Sequence, residues 1–250
     1  MPWSFRIGSL LGFPIRVHVT LLLFLGIIFT WGGGWFGLLL IVAVFASVIA
    51  HELGHALVAR SAGLPIIDIS LYPFGGMARM LVPPRTAAEE IRMAIAGPVV
   101  SVALGVFFLL LGWLSDQTAF LVLTEINMML GVFNLIPALP MDGGRVLRAL
   151  LARKMGYYRA TSIAARVARY LALVLAVIGA FYSLWLLLLA FFVMFMAFAE
   201  EVSARARRYM GDPGYQDIAS QPEAGPPITR TDWEIILPSD RNPPRSPGNK

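Results

Sequence analysis

The stretch Val48-Ile-Ala-His51-Glu52-Leu53-Gly54-His55-Ala-Leu-Val58 decides how this chain folds. It closes a long run, Val17 to Ala50, that contains no Asp, Glu, Lys or Arg. Such a run exceeds the ~20 residues that one helix needs to cross a hydrocarbon core. Trp31-Gly-Gly-Gly-Trp35 breaks it, with glycines suited to a turn and tryptophans to a membrane interface. The reading is one helix over 16–31 and a second over 35–60. In that second helix His51 and His55 stand four residues apart, on one face, where both imidazoles can reach one metal ion.

The composition agrees with a lipid environment. Of 250 residues, 58% are apolar and 14% charged, against ~45–50% and ~25% in soluble domains. Cysteine is absent, which excludes disulfides and thiolate ligands, so any metal is held by His, Asp or Glu. The net charge of +5 does not point to nucleic acid, because the basic residues lie between apolar runs that cannot form a soluble basic domain. It fits a membrane protein facing an anionic leaflet. Arg6 and Arg16 precede the first apolar run, but no small-residue cleavage site follows it, so the run reads as a retained anchor.

Further along, Leu64 to Phe74 is rich in β-branched residues, Gly75-Gly76 signals a turn, and Met77 to Val82 returns, which predicts a β-hairpin or small sheet closed by Pro83-Pro84. A third helix is expected over 93–115 and a fourth over 119–136, ended by Pro137 and Pro140. Residues 145–159 are basic and loop-like, with room for a short amphipathic helix. The uncharged run Tyr170 to Ala199 reads as a hairpin of helices over 160–181 and 184–200. The fold class is therefore a polytopic α-helical membrane protein with about six transmembrane helices and a small membrane-associated sheet. Residues 1–200 form the membrane domain. Residues 201–250 hold 8 of the 17 prolines and read as a largely disordered cytoplasmic tail.

Six spans starting from a cytoplasmic N-terminus leave outer loops at about 31–35, 113–118 and 181–184, none with Lys or Arg. All 20 basic residues then fall on the inner side or at inner helix ends, as the positive-inside rule requires. Five spans would place Arg205-Ala-Arg-Arg208 outside. Both termini are therefore expected in the cytoplasm.

Two of only three histidines in the chain fall in the His-Glu-x-x-His pattern. It sets Glu52, a carboxylate inside a lipid-embedded helix, beside them. Such groups are costly at that depth and are usually functional. Glu52 is placed to act as general base towards a water activated at the metal. His and carboxylate ligands suit tetrahedral Zn²⁺ with one position open. The third ligand is open among Asp68, Glu125, Asp142 and His18. Asp142 follows Asn134-Leu-Ile-Pro-Ala-Leu-Pro-Met, where two prolines stop a helix, and precedes Gly143-Gly144, which lets the backbone turn beside the acidic group, a setting that suits a polar cavity. His18 sits level with the site, as an outer partner or an interfacial histidine. Glu125 reads as a buried carboxylate hydrogen-bonded near Thr124. From His51 to Arg60 is nine residues, roughly 13 Å of helix, which puts the site near the cytoplasmic face.

Together the His51–His55 motif, Phe74-Gly75-Gly76, Ala96-Gly97-Pro98 with Ser101, and Asn134 to Gly144 resemble the site-2 protease family of intramembrane zinc metalloproteases. The resemblance covers roughly residues 5–200. It implies that Asp142 is the third ligand of one Zn²⁺ per chain and that Asn134 lines the substrate cleft. It implies that Phe74, Gly75 and Gly76 expose a strand edge for an extended substrate. Gly97-Pro98 is expected to shape close helix packing. The expected activity is hydrolysis of a peptide bond in or near a transmembrane segment of another protein, in a prokaryotic plasma membrane. The partners are that substrate and the bilayer, with no nucleic acid. The tail is too short for a pair of cystathionine-β-synthase-type modules, and no loop is long enough for a PDZ-like insertion. Two rivals use the same residues: a metal-ion transporter and a non-catalytic binder of membrane proteins.

Overall fold

The computed structural model describes residues 3–30, 34–73, 75–115 and 117–209. The expected turn at 31–33, Phe74 and the tail beyond 209 lie outside the described residues. The chain opens with strands β1 (Ser4–Leu10) and β2 (Phe13–His18), followed by helices α1 (Val19–Ile28) and α2 (Gly34–Ser61). Strands β3 (Ile66–Tyr72) and β4 (Gly75–Met80) come next. Helices α3 (Ala87–Ser115), α4 (Thr118–Asn134), α5 (Asp142–Met155), α6 (Tyr157–Tyr182) and α7 (Leu184–Tyr209) complete it.

The sheet is larger than expected. The hairpin was read at 64–85 alone, yet it has four strands in the order β1-β2-β3-β4. The expected first helix at 16 begins instead at Val19, because residues 4–18 form a hairpin. Leu11 and Gly12, both at positive φ (51° and 87°), make its turn. In β2 the side chains alternate strictly: Phe13, Ile15 and Val17 are buried, and Pro14, Arg16 and His18 are not. The buried set packs on Ile69 and Leu71 of β3 and on Leu21, Val48, Leu53 and Ala56 of the first two helices. β2 and β3 pair in parallel, Ile15 opposite Ile69 and Val17 opposite Leu71. A parallel pair needs a crossover, and here α1 and α2 provide it.

Four helices, α2, α3, α6 and α7, are long and apolar enough to cross a membrane. Each presents most of its apolar stretch outward, as lipid-facing helices do. Two further apolar helices, α1 and α4, are shorter. α6 carries buried Ala164, Ala165, Ala168 and Ala172, and this stripe packs on Val193 and Ala197 of α7. Small residues let the backbones approach, which is how helices associate where lipid removes the hydrophobic drive. α7 runs nine residues past the expected end at 200, held by Glu201 to Arg169 (2.8 Å) and to Arg205 (2.7 Å).

The short amphipathic helix for which the basic stretch 145–159 leaves room is present and longer than expected, running over Asp142–Met155. Gly143 and Gly144 were read as a turn beside an acidic group, but they make the first turn of α5. A Cβ at Gly143 would strike the backbone of Leu135 and Ile136, and one at Gly144 that of Ala138 and Leu139. The glycines let α5 begin directly against the segment that ends α4.

A candidate metal centre

His51 and His55 project from α2 onto α3, and Asp142 meets them from the first turn of α5. Asp142 Oδ2 lies 3.2 Å from His51 Nε2 and 3.1 Å from His55 Nε2. All three residues are buried. They form a group whose ligand atoms lie within 4.8 Å of one another. The other ring nitrogens are held from behind. His55 Nδ1 lies 2.7 Å from the Met93 carbonyl oxygen, and His51 Nδ1 lies 2.9 Å from Ser101 Oγ.

A carbonyl only accepts, so His55 Nδ1 carries the proton and donates it to Met93. Its Nε2 then points a lone pair at a carboxylate oxygen. Acceptor facing acceptor at 3.1 Å is relieved by a second proton or by a cation between them. Two imidazoles and one carboxylate, with the far nitrogens anchored, are the donor set of a hydrolytic zinc site. The residues therefore fit a single metal ion.

Backbone without side chains makes room for them. Gly54 of α2 crosses α3 so closely that a Cβ would lie 2.8 Å from the Ala96 oxygen. A Cβ on Gly97 would sit 2.6 Å from His51 Nε2 and would overlap the His55 ring. Gly97 thus does more than tighten helix packing, as it gives both imidazoles their space.

Glu52 faces the sheet. Its Oε2 accepts the backbone N–H of Ala78 on β4 at 3.1 Å. Gly76 lies against the same side chain, where a Cβ would come within 2.6 Å of Glu52 Cγ. The glycine lets β4, an edge strand, pass over the carboxylate.

The other proposed ligands lie elsewhere. Asp68 is clamped within the sheet by Arg79 Nε (2.7 Å) and Ser70 Oγ (3.0 Å), with Arg16 at 3.9 Å. Burial would raise its carboxyl, but the bonds from Arg79 and Ser70 and the charges of Arg79 and Arg16 hold it below the usual range. Glu125 was expected to be buried near a Thr124 hydrogen bond. It is exposed on α4, while the Thr124 hydroxyl donates to the Phe120 carbonyl. His18 caps α1, its Nδ1 accepting the Thr20 N–H at 3.3 Å. Asn134 donates its amide to the Leu130 carbonyl at 2.9 Å.

A second buried charge cluster escaped the sequence reading. Arg148 of α5 donates to Glu90 of α3 (Nε to Oε1, 3.1 Å) and pairs with Glu200 of α7. Arg145 bridges this cluster to the metal centre, 3.9 Å from Glu90 Oε1 and 3.7 Å from Asp142 Oδ1. Glu90 shows 1% exposure and Arg148 5%. Burial works against the Arg148 charge, but Glu90, Tyr157 and Glu200 raise its pKa above the usual guanidinium value. Its sequence signal was an acidic residue and an arginine at helix faces that otherwise bury small residues.

The profile of peptidase family M50 matches residues 39–119 and 115–175, more than half of the chain and all of the metal centre. The chain belongs to peptidase family M50. This M50 chain is 40% identical to zinc metalloprotease MJ0392 of Methanocaldococcus jannaschii over 206 residues, 79% of this chain and 60% of the relative. It is 32% identical to the putative zinc metalloprotease Rip3 of Mycobacterium tuberculosis, with 88% and 64% covered. The solved site-2 protease of M. jannaschii superposes with a TM-score of 0.65 at 40% identity, covering 80% of this chain and 95% of that one. The M50 chain spans about three fifths of the length of the curated relatives it matches. With its four long apolar helices it is an integral membrane protein.

Proposed function

We propose that this M50 chain is a zinc-dependent intramembrane endopeptidase. It hydrolyses a peptide bond in or near a transmembrane segment of another membrane protein. The observation that carries the reading is the meeting of His51, His55 and Asp142 in one buried site, with Glu52 adjacent in sequence and an edge strand across it.

His51, His55 and Asp142 hold one Zn²⁺. Bound there, the ion supplies a Lewis acid that acidifies water and polarises a carbonyl oxygen. The hydrogen bonds from Met93 and Ser101 fix the imidazoles, so both Nε2 atoms stay directed inward. Glu52 takes the proton of the attacking water and returns it to the leaving amine. Peptide hydrolysis balances on that shuttle alone. A substrate helix must unwind first, because its amides are bonded and shielded. β4, with Gly75 and Gly76 at its start and Phe74 just before it in sequence, binds the extended chain by strand addition. Asn134 keeps one amide N–H beyond its bond to Leu130, to hold the substrate backbone or its developing oxyanion.

In this reading all six apolar helices cross a prokaryotic plasma membrane. Both termini are cytoplasmic, and the product is released inward. Residues 1–200 make the proteolytic domain and 201–250 its tail. The test is cleavage of a candidate membrane substrate by purified wild type and by Glu52→Gln, with zinc measured in both. Cleavage by wild type and its loss at full zinc content supports the peptidase. Metal flux into vesicles that is unchanged in Glu52→Gln, with no cleavage by wild type, supports a transporter.

A further inference from the structure

Away from the metal centre, the ends of α6 and α7 line an open hollow of about 890 Å³. Arg159, Ser162 and Arg166 line it from α6, and Glu201, Arg205 and Arg208 from α7. The single carboxylate is already satisfied: Glu201 pairs with Arg169 at 2.8 Å and with Arg205 at 2.7 Å. Arg159, Arg166 and Arg208 have no acidic partner among the described residues. Three exposed guanidiniums without an acidic partner therefore line one open hollow, with Arg208 over the Tyr158 ring at 6.0 Å. Like charges on one hollow favour an anion.

The surroundings identify which anion. On α6 the lining stripe Arg159–Ser162–Arg166 continues at helical spacing as Tyr170, Leu173 and Val177, all exposed. On α7 the stripe Arg208–Arg205 continues as Val202, Phe198 and Phe195, also exposed. A basic hollow thus lies at one end of two rows of exposed apolar side chains. That is the shape of a phospholipid, with a charged head at the interface and acyl tails along the helices. Basic pockets between spans are general binding sites for anionic headgroups.

We propose that this hollow binds the phosphate of an anionic phospholipid, with Arg159, Arg166 and Arg208 as its ligands and the exposed apolar rows of α6 and α7 receiving the tails. The site rests on α6 and α7 being membrane spans and not on the peptidase chemistry. Neither helix supplies a residue to the metal centre.

The test is native mass spectrometry of the full chain in mild detergent, titrated with phosphatidylglycerol or phosphatidylcholine. Wild type should retain phosphatidylglycerol at least tenfold more tightly. Removing each guanidinium should weaken that binding about fivefold, so the triple variant Arg159→Gln, Arg166→Gln, Arg208→Gln should lose roughly a hundredfold. Arg85→Gln, Arg153→Gln, Lys154→Gln removes the same charge from exposed positions outside the hollow and should bind as wild type. Circular dichroism and zinc content report whether each variant is folded, and the single Arg166→Gln serves if the triple is not. Equal retention of the two lipids overturns the proposal. So does an equal loss in the control variant, which would mean diffuse surface charge. Glycerol 1-phosphate binding as tightly as the lipid would overturn it too, because the apolar rows would then contribute nothing.

Discussion

The carboxylate of Glu52 and the backbone N–H of Ala78 are 3.1 Å apart and hydrogen-bonded, so the proposed base is tied to the edge strand that is proposed to take the substrate. β4 thereby has one outward amide satisfied by the residue that would do the chemistry. Position and reactivity are linked through one bond, and the two are separable by mutation.

Glu52→Gln keeps a hydrogen-bond acceptor for Ala78 but cannot take a proton. Cleavage should fall by ~10²–10⁴-fold, the usual worth of a general base, while zinc content and thermal stability stay at wild-type values. Turnover assays paired with metal analysis check this. A loss of zinc in the same variant would move Glu52 into the ligand set.

Ser101→Ala removes the partner of His51 Nδ1 without touching the metal-binding atoms. Zinc affinity should weaken by ~10–100-fold, as for other residues that orient a ligand. Competition against a chelator measures it. Gly97→Ala should be worse, since its Cβ would enter the space of both rings. It should cost ~1–3 kcal/mol by overpacking and lower zinc occupancy in the purified protein.

Arg148→Ala leaves Glu90 buried with only Arg145, 3.9 Å away, as a cationic partner. One of that carboxylate's oxygens, Oε2, already has no hydrogen-bond partner among the described residues. The variant should lose ~3–5 kcal/mol, read as a lower midpoint of thermal unfolding in detergent. Glu200→Ala should cost ~1 kcal/mol or less, because the Glu200 side chain is 39% exposed and water replaces it.

Asp68 gives the sheet an acid-sensitive clamp. Its carboxyl is held below the usual range in the folded chain, so the unfolded chain binds that proton more readily. The clamp's stabilisation is complete above the ordinary carboxylate value near ~4 and is lost as pH falls through the lower folded value. Asp68→Asn should be less stable at pH 7 and should show a flatter dependence of unfolding midpoint on pH below ~4. An unchanged profile would remove Asp68 as the titrating group.

The six-span topology is checked with single cysteines, because the chain has none of its own. A membrane-impermeant thiol reagent applied outside should label Ser115→Cys and leave Gly156→Cys and Tyr215→Cys unlabelled. The reverse pattern would invert the orientation and with it the inward release of product.

The metal centre was legible because its chemistry is local. His51, Glu52 and His55 sit within five residues, and a helix of known pitch puts the histidines on one face. Asp142 needed more than spacing: a broken helix end and the family resemblance favoured it over Asp68, Glu125 and His18, which packing sets in a sheet clamp, on an outer face and at the start of α1. The hairpin of residues 4–18 was hidden for a different reason. Phe13, Ile15 and Val17 do alternate, but they run without a break into the apolar residues of α1, and a strand feeding a helix leaves no marker between them. The parallel partner of β2 is some fifty residues away, with two helices between, which no local pattern discloses. Glycines misled at 143–144 because the same residue serves a turn and a close approach, and only the neighbouring backbone tells which.

That parallel pairing bears on how the protein is made. β2 precedes α1 and β3 follows α2, so the two strands can meet only if both ends of the helix pair emerge on the same side of the bilayer. Should one helix stall or thread the wrong way during synthesis, the halves of the sheet would be left on opposite sides. Each half would then be a two-stranded ribbon, marginal by itself. In the proposed topology the four-stranded sheet is therefore complete only when α1 and α2 have entered the bilayer as a pair.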